Sequence, residues 1–279
     1  MSRPVRIEFP GASYHVSSKS REEQIIFLDD DDHGAFLNVL ENVVGRFGWL
    51  IHSFALLDDH YDMVVEVPGA NLSKGMRQLN GVYTQHFNRR HGLGGPIFHG
   101  RFKSVLFEKK NYLLPICRYV VTGPARIERL QNYRTYKWSS YRALAGQVSK
   151  PKFLHTTEVL SYFAKSKKDA QREYRNYIKK GVEAESPLVD RKNQVLLGSS
   201  KFLNEMQPIL HGERLSKRGP KAVKRRHSLK VLFKKVDDKS RQERNELIRR
   251  AHLEHGYTLM EIGEYLGLHY TTVSKVINA

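Results

Sequence analysis

Leu56-Leu57-Asp58-Asp59-His60-Tyr61-Asp62-Met63-Val64-Val65-Glu66-Val67 is a run that reads as a buried strand, yet it carries ligand-type side chains. Side chains on a strand alternate faces. His60, Asp62, Val64 and Glu66 therefore share one face, and Tyr61, Met63, Val65 and Val67 share the other. A His and an Asp two residues apart on one face are placed to meet one divalent ion. The competing reading is a sheet-edge pair that simply faces water, and the rest of the chain decides between the two.

Working outward, Trp49 to Leu57 reads as the partner strand, with Asp58-Asp59 at the hairpin. Gly48 closes a helix over Asp31–Phe47, whose apolar face is Phe36, Leu37, Leu40, Val43, Val44 and Phe47. The acids Asp29 to Asp32 at its start complement the helix dipole. Tyr14 to Ser17 is a short strand after the Pro10-Gly11 turn. Beyond Pro68-Gly69, Leu72 to Arg90 is a second helix with Leu72, Met76, Leu79, Tyr83 and Phe87 on its apolar face. A glycine-rich loop, Gly92 to Gly100, leads to a strand over Arg101–Phe107 and a helix over Asn111–Val121. The order β-α-β-β-α-β followed by a helix predicts an α+β fold. It is a ferredoxin-like antiparallel sheet with helices on one face.

The aromatic segment Tyr133 to Arg142 is expected to cap that sheet. The boundaries predicted are a first domain over 1–145, a helical extension over 146–212, a basic linker over 213–240 and a final unit over 241–279. Between 214 and 250 Lys and Arg far outnumber Asp and Glu. In the last unit Arg241–Glu254 reads as a helix, and Thr258 with Glu261 reads as a capping box for a helix over Leu259–Leu266. Gly267 makes the turn, and a helix from His269 to Ile277 follows. This is the pattern of a helix-turn-helix. Tyr270, Thr271, Thr272, Ser274 and Lys275 form its groove-facing set, with Leu266, Leu268, Val273 and Ile277 packed inside. A plain helical hairpin is the alternative.

The formal net charge is +18, from 47 Lys+Arg against 29 Asp+Glu in 279 residues. Charge of that size points to a polyanion, nucleic acid before an anionic membrane. No apolar run is long enough to span a bilayer, and the first residues do not form a signal peptide. A single Cys117 excludes an internal disulfide and a multi-Cys zinc site. The expected location is the cytoplasm, in association with the nucleoid. Arg77, Arg89, Arg90, Arg101 and Lys103, alternating with Tyr83, Phe87, Phe98 and Phe102, are candidate contacts to single-stranded nucleic acid. In the competing reading the aromatics are core and the cations are solvated. An RNA-binding module is a further alternative on charge alone.

Several motifs in the same order carry a resemblance. They are Pro4 to Val16, Ile26-Phe27-Leu28-Asp29, Met76 to Gln85, Phe87-Asn88-Arg89-Arg90-His91, Phe98 to Lys103, Arg118-Tyr119-Val120-Val121 and Trp138-Ser139-Ser140-Tyr141. Together they resemble the REP-associated tyrosine transposases, a branch of the single-tyrosine HUH endonucleases. The likeness covers residues 3–145 densely. It implies metal-assisted attack by Tyr119 on single-stranded or hairpin DNA, with a 5′-phosphotyrosine intermediate and Mg²⁺ or Mn²⁺ as the ion. It places the strand ligands at His60 and Asp62, the latter where the family has a second histidine. The family's helix ligand falls on position 123, which here is Gly123 and has no side chain. Glu66 or His15 is a candidate substitute. The expected partners are single-stranded or hairpin DNA, plus duplex DNA through the helix-turn-helix, with the chain acting as monomer or homodimer and no membrane involved. The alternative implied by the departures is a catalytically inactive, domesticated transposase that serves as a sequence-specific DNA-binding regulator.

Overall fold

The structure, a computed structural model, describes residues 7–278 except 22–23, 128–131, 193, 211–227, 235, 237–239, 254, 256 and 258. Strand β1 (Ala12–Lys19) is followed by helix α1 (Asp30–Phe47), the hairpin β2 (Leu50–Leu57) and β3 (His60–Val67), helix α2 (Leu72–His91), strand β4 (Lys103–Phe107) and helix α3 (Lys109–Val121). The four strands pair antiparallel in the order β2-β3-β1-β4, which is the split arrangement expected. Strand β1 is twice its expected length, the other elements differ from their expected spans by a residue or two, and α3 begins at Lys109 despite Pro115 inside it. Arg101 falls in a bend ahead of β4, so it does not share a strand face with Lys103.

Both faces of the sheet are covered, for a reason written in the strand alternation. Tyr14, Val16, Tyr61, Met63 and Val65 point one way and bury against Phe36, Leu40 and Val43 of α1 and Met76, Leu79, Tyr83 and Phe87 of α2. Each such side chain contributes about 1.5–3 kcal/mol by leaving water. Ala55, Val64, Val105 and Phe107 point the other way and bury against Leu113, Ile116, Cys117 and Val120 of α3. Helices on one face is therefore right for α1 and α2, while α3 closes the opposite side. The junction of α1, β2 and α2 is tight: a Cβ on Gly75 would lie 2.1 Å from Cζ2 of Trp49, so only glycine lets α2 approach there.

A short 3-10 turn, Gly123–Arg126, follows α3. The segment around helix α4 (Tyr141–Leu144) then covers the outer edge of β2. Leu56 N donates to the Trp138 carbonyl at 2.9 Å, Ser140 N to the Phe54 carbonyl at 2.9 Å, and the Tyr136 hydroxyl to the Leu56 carbonyl at 2.5 Å. An open edge is a template for unwanted pairing, and this capping segment closes it. Helices α5 (Thr156–Ser161) and α6 (Lys167–Lys180), strand β5 (Leu196–Leu197) and helix α7 (Ser200–Leu210) follow. They share the sheet's core: Val159, Leu160, Tyr174 and Ile178 join the α3 side, and β5 pairs parallel with β4.

After helix α8 (Leu229–Leu232), the C-terminal helices are α9 (Arg241–Leu253), α10 (Leu259–Leu266) and α11 (Tyr270–Asn278). They surround a separate cluster of Phe233, Ile248, Ala251, Tyr257, Ile262 and Val273, with Leu266, Leu268 and Ile277 packed against it. Gly267 takes the left-handed conformation at φ 62, and Leu268 N returns to the Gly263 carbonyl at 2.8 Å. The capping box expected at Thr258 and the basic stretch 214–227 lie outside the described residues. A described reciprocal cap stands instead at α9, where Ser240 and Glu243 exchange bonds of 2.9 and 3.3 Å. Among the described residues, no helix is long and apolar enough to cross a membrane.

Candidate active site

The β1–β3 register sets the site. Ser17 lies opposite Asp62, Lys19 opposite His60 and His15 opposite Val64. Opposed residues share a face, so His15, His60 and Asp62 all stand on the side that α3 covers. Asp62 is buried and lies between the two imidazoles. His15 Nε2 is 2.9 Å from Asp62 Oδ1, and His60 Nε2 is 3.5 Å from Asp62 Oδ2. The buried His15 Nε2 has no hydrogen-bond partner and meets Asp62 as a close charge contact. On its other side His60 Nδ1 meets Asp59 Oδ1 at 2.5 Å.

Charge explains how this cluster is held. Burial disfavours a charged Asp62, but His15 and His60 at its oxygens outweigh that and hold its carboxyl well below the usual carboxylate range. For His60, burial opposes the proton, and Asp62 and Asp59 more than compensate, so its pKa lies above the ordinary imidazole value. A proton or a metal ion is what two facing lone pairs at 3.5 Å require. The donor set suits a hard divalent ion: one carboxylate, one imidazole, and a carboxylate on the far nitrogen of that imidazole, the usual support of a metal-bound histidine. The residues present therefore fit Mg²⁺ or Mn²⁺ at His60 and Asp62.

Tyr119 reaches this cluster from the last turn of α3. It is half-buried, and its ring meets His15 edge-on at 6.0 Å between centroids. Its hydroxyl makes no hydrogen bond among the described residues. Cys117, two residues earlier, points into the core and is buried; burial pushes its thiol up, so it offers no competing nucleophile. Gly123 falls beyond the end of α3, in the 3-10 turn. A Cβ there would meet Leu57 Cδ1 at 3.3 Å and Arg126 Nη2 at 3.5 Å.

Glu66, one of the two substitute ligands considered from sequence, is not at this cluster. It stands at the other end of the same strand face, with Glu66 Oε2 3.1 Å from the buried His52 Nε2. Lys109 Nζ bonds both Glu66 Oε2 and Glu158 Oε1 at 2.5 Å. The ligand atoms of His52, Glu66 and Glu158 lie within 4.8 Å of one another. His52 reaches them through a bulge, where β2 slips register between Ile51 and Ser53.

The candidate DNA contacts divide. Arg77, Arg89, Arg101 and Lys103 are exposed. Lys103 pairs with Ser17, which pairs with Asp62, so it stands two strands from the ligand pair on the same face. Arg90 is engaged elsewhere: it bonds Asp29 and Asp32 at 2.7 Å and Asp31 at 3.2 Å. The Arg90 guanidinium holds the Asp29 carboxyl down to about 2. The aromatics beside these cations, Tyr83, Phe87, Phe98 and Phe102, are all buried and offer no face to a base. In α11, Tyr270, Thr271 and Thr272 are exposed and Ser274 is half-buried; Lys275 lies on the same helix.

Sequence reasoning left His15 as one of two alternatives. It missed Lys109, whose partners Glu66 and Glu158 are distant in sequence, and Arg126, which meets Tyr119 and Thr122 only because the turn after α3 folds back.

Residues 9–122 match a protein-family model described as "Transposase IS200 like". No curated protein matches the chain. Among solved structures, that of a REP-associated tyrosine transposase bound to a REP hairpin is similar at 15% identity, with a TM-score of 0.46. The match covers 56% of this chain and 92% of that one.

Proposed function

We propose, from the match of residues 9–122 to a family model described as "Transposase IS200 like", that the chain binds single-stranded or hairpin DNA and cuts and rejoins it, with Tyr119 as nucleophile. The observation that carries the reading is the meeting of a half-exposed tyrosine, two imidazoles and a buried carboxylate on one sheet face. The Tyr119 oxygen bonds to phosphorus, giving a 5′-phosphotyrosine. The bond from phosphorus to the leaving oxygen breaks, and that strand departs with a 3′-hydroxyl that takes up a proton. Attack by water or by another 3′-hydroxyl reverses the bond and frees the enzyme.

His60 and Asp62 would hold Mg²⁺ or Mn²⁺. Bound there, the ion would draw charge from the scissile phosphate, which a neutral phenol needs before it attacks well. Asp59 fixes the His60 ring, and His15 holds the other oxygen of Asp62. Lys103 and the exposed Arg77, Arg89 and Arg101 supply backbone contacts. The α10–α11 pair would read duplex DNA as a helix-turn-helix, with Tyr270, Thr271, Thr272, Ser274 and Lys275 toward the groove. The units 1–145, 146–212, 213–240 and 241–279 would then divide cutting from duplex reading. The chain would act in the cytoplasm near the nucleoid, as monomer or homodimer.

Gly123 favours a second reading. Without a side chain it gives the ion no helix ligand, as expected of a DNA-binding regulator that has given up cutting. Denaturing gels of the full chain with labelled hairpin oligonucleotides decide between them. A covalent adduct in Mg²⁺ or Mn²⁺, absent with EDTA and absent in Tyr119→Phe, is the expected result. Tight hairpin binding with no adduct in either metal would favour the regulator.

A further inference from the structure

We propose that Arg126 is a phosphate-binding residue of the Tyr119 site, holding the scissile phosphate from the helix side. The inference rests on the transposase reading above and adds a residue to it.

The geometry is specific. After α3 ends, the 3-10 turn folds the chain back so that the Arg126 guanidinium lies over the Tyr119 ring, with Cζ 4.1 Å from its centroid. Nη2 donates to the Tyr119 carbonyl at 2.8 Å and Nη1 to Thr122 Oγ1 at 3.1 Å. Thr122 Oγ1 in turn donates to the Arg118 carbonyl at 2.9 Å. The guanidinium is thus fixed by the carbonyl ends of the helix that carries the nucleophile, a place that favours a cation.

Its charge is left available. A guanidinium has five N–H donors, and two serve these anchors. Among the described residues Arg126 pairs with no carboxylate, whereas Arg90 is held by three and Lys109 by two. Arg126 is also exposed, so DNA can reach it. A planar fork with free N–H groups is matched to the non-bridging oxygens of a phosphodiester. A phosphate approaching the Tyr119 hydroxyl passes within reach of this fork.

Gly123 and Arg126 are neighbours. A Cβ on Gly123 would stand 3.5 Å from Nη2, in ordinary contact with the guanidinium, and 3.3 Å from Leu57 Cδ1, so the fork lies beside position 123.

The test uses the full chain with Arg126→Gln, Arg126→Lys and a labelled hairpin oligonucleotide. The first readout is hairpin affinity against salt in EDTA, which needs no cutting. Loss of one phosphate contact lowers the log–log slope by about 0.7 in Arg126→Gln, with Arg126→Lys close to the parent. The second is the adduct rate in Mn²⁺, expected to fall about 100-fold in Arg126→Gln and to be partly restored by lysine. An unchanged salt slope in Arg126→Gln, with the parent melting temperature, would overturn the proposal. If the parent makes no adduct, the cutting reading fails, and the salt slope still decides whether Arg126 holds phosphate.

Discussion

Two clusters of histidine and carboxylate sit at opposite ends of one sheet face, both beneath α3, and they are built differently. At the Lys109 end, His52, Glu66 and Glu158 are drawn close enough for a metal, but Lys109 bonds both carboxylates and is their cation. At the Tyr119 end, Asp62 has imidazoles at both oxygens and no lysine or arginine bonded to it among the described residues. Each end has a buried imidazole nitrogen without a hydrogen bond, on His52 and His15, but only here does a tyrosine stand beside it. Compactness alone would select the first cluster. The presence of a built-in cation marks it as an ion-paired joint between the sheet, α3 and α5, and leaves the looser cluster as the one with chemistry to offer.

Neutralising one carboxylate at each end separates the two clusters most clearly. Asp62→Asn should lower the rate of adduct formation by at least about 100-fold, while Glu66→Gln should leave it within about 3-fold by the same gel, because Glu66 touches neither nucleophile nor ion. Equal losses would mean that both ends serve one site.

Removing the built-in cation comes next. Lys109→Met leaves two part-buried carboxylates beside a buried imidazole, and we expect a loss of about 2–3 kcal/mol in urea unfolding. Zn²⁺ or Mn²⁺ should restore part of that stability in Lys109→Met through His52, Glu66 and Glu158. A metal-induced gain that is the same in the parent would show that Lys109 does not fill the site.

Acid should separate the ends further. Burial disfavours the charged Glu66, but His52 and Lys109 outweigh it and its pKa is lowered. The unfolded chain then binds the proton more readily. The stability Glu66 contributes is complete above its ordinary value of 4.5 and is lost as pH falls through the lowered folded value. Glu66→Gln should flatten the stability profile in that window. A profile unaltered by the substitution would remove Glu66 from the joint.

The smallest expected effect concerns DNA. Lys103→Gln should weaken hairpin binding a few-fold and lower its salt slope by about 0.7. Arg90→Gln should leave that slope unchanged and lower the melting temperature, since Arg90 is tied to Asp29, Asp31 and Asp32 at the start of α1. Fluorescence anisotropy across a salt series, with melting curves beside it, distinguishes the two.

Much of the fold was legible because it is local. Alternation over His60–Val67 gave a strand with two distinct faces. The heptad-like spacing of Leu72, Met76, Leu79, Tyr83 and Phe87 gave α2, and Gly48 and Gly267 marked chain reversals where a positive φ is required. The same locality misled on the cations. Arg90 reads as one more basic residue of a motif, and nothing near it in sequence says that three acids some sixty residues away will hold it.

Strand and helix order, the polyanion-seeking charge and the pairing of His60 with Asp62 are legible along the chain, because period and composition act over a few residues. That His15 rather than Glu66 joins Asp62, that Lys109 fills the other cluster and that Arg126 lies over Tyr119 emerge only in the folded chain. Each of those depends on strand register or on a chain reversal, which brings together side chains whose separation along the chain carries no trace of their contact.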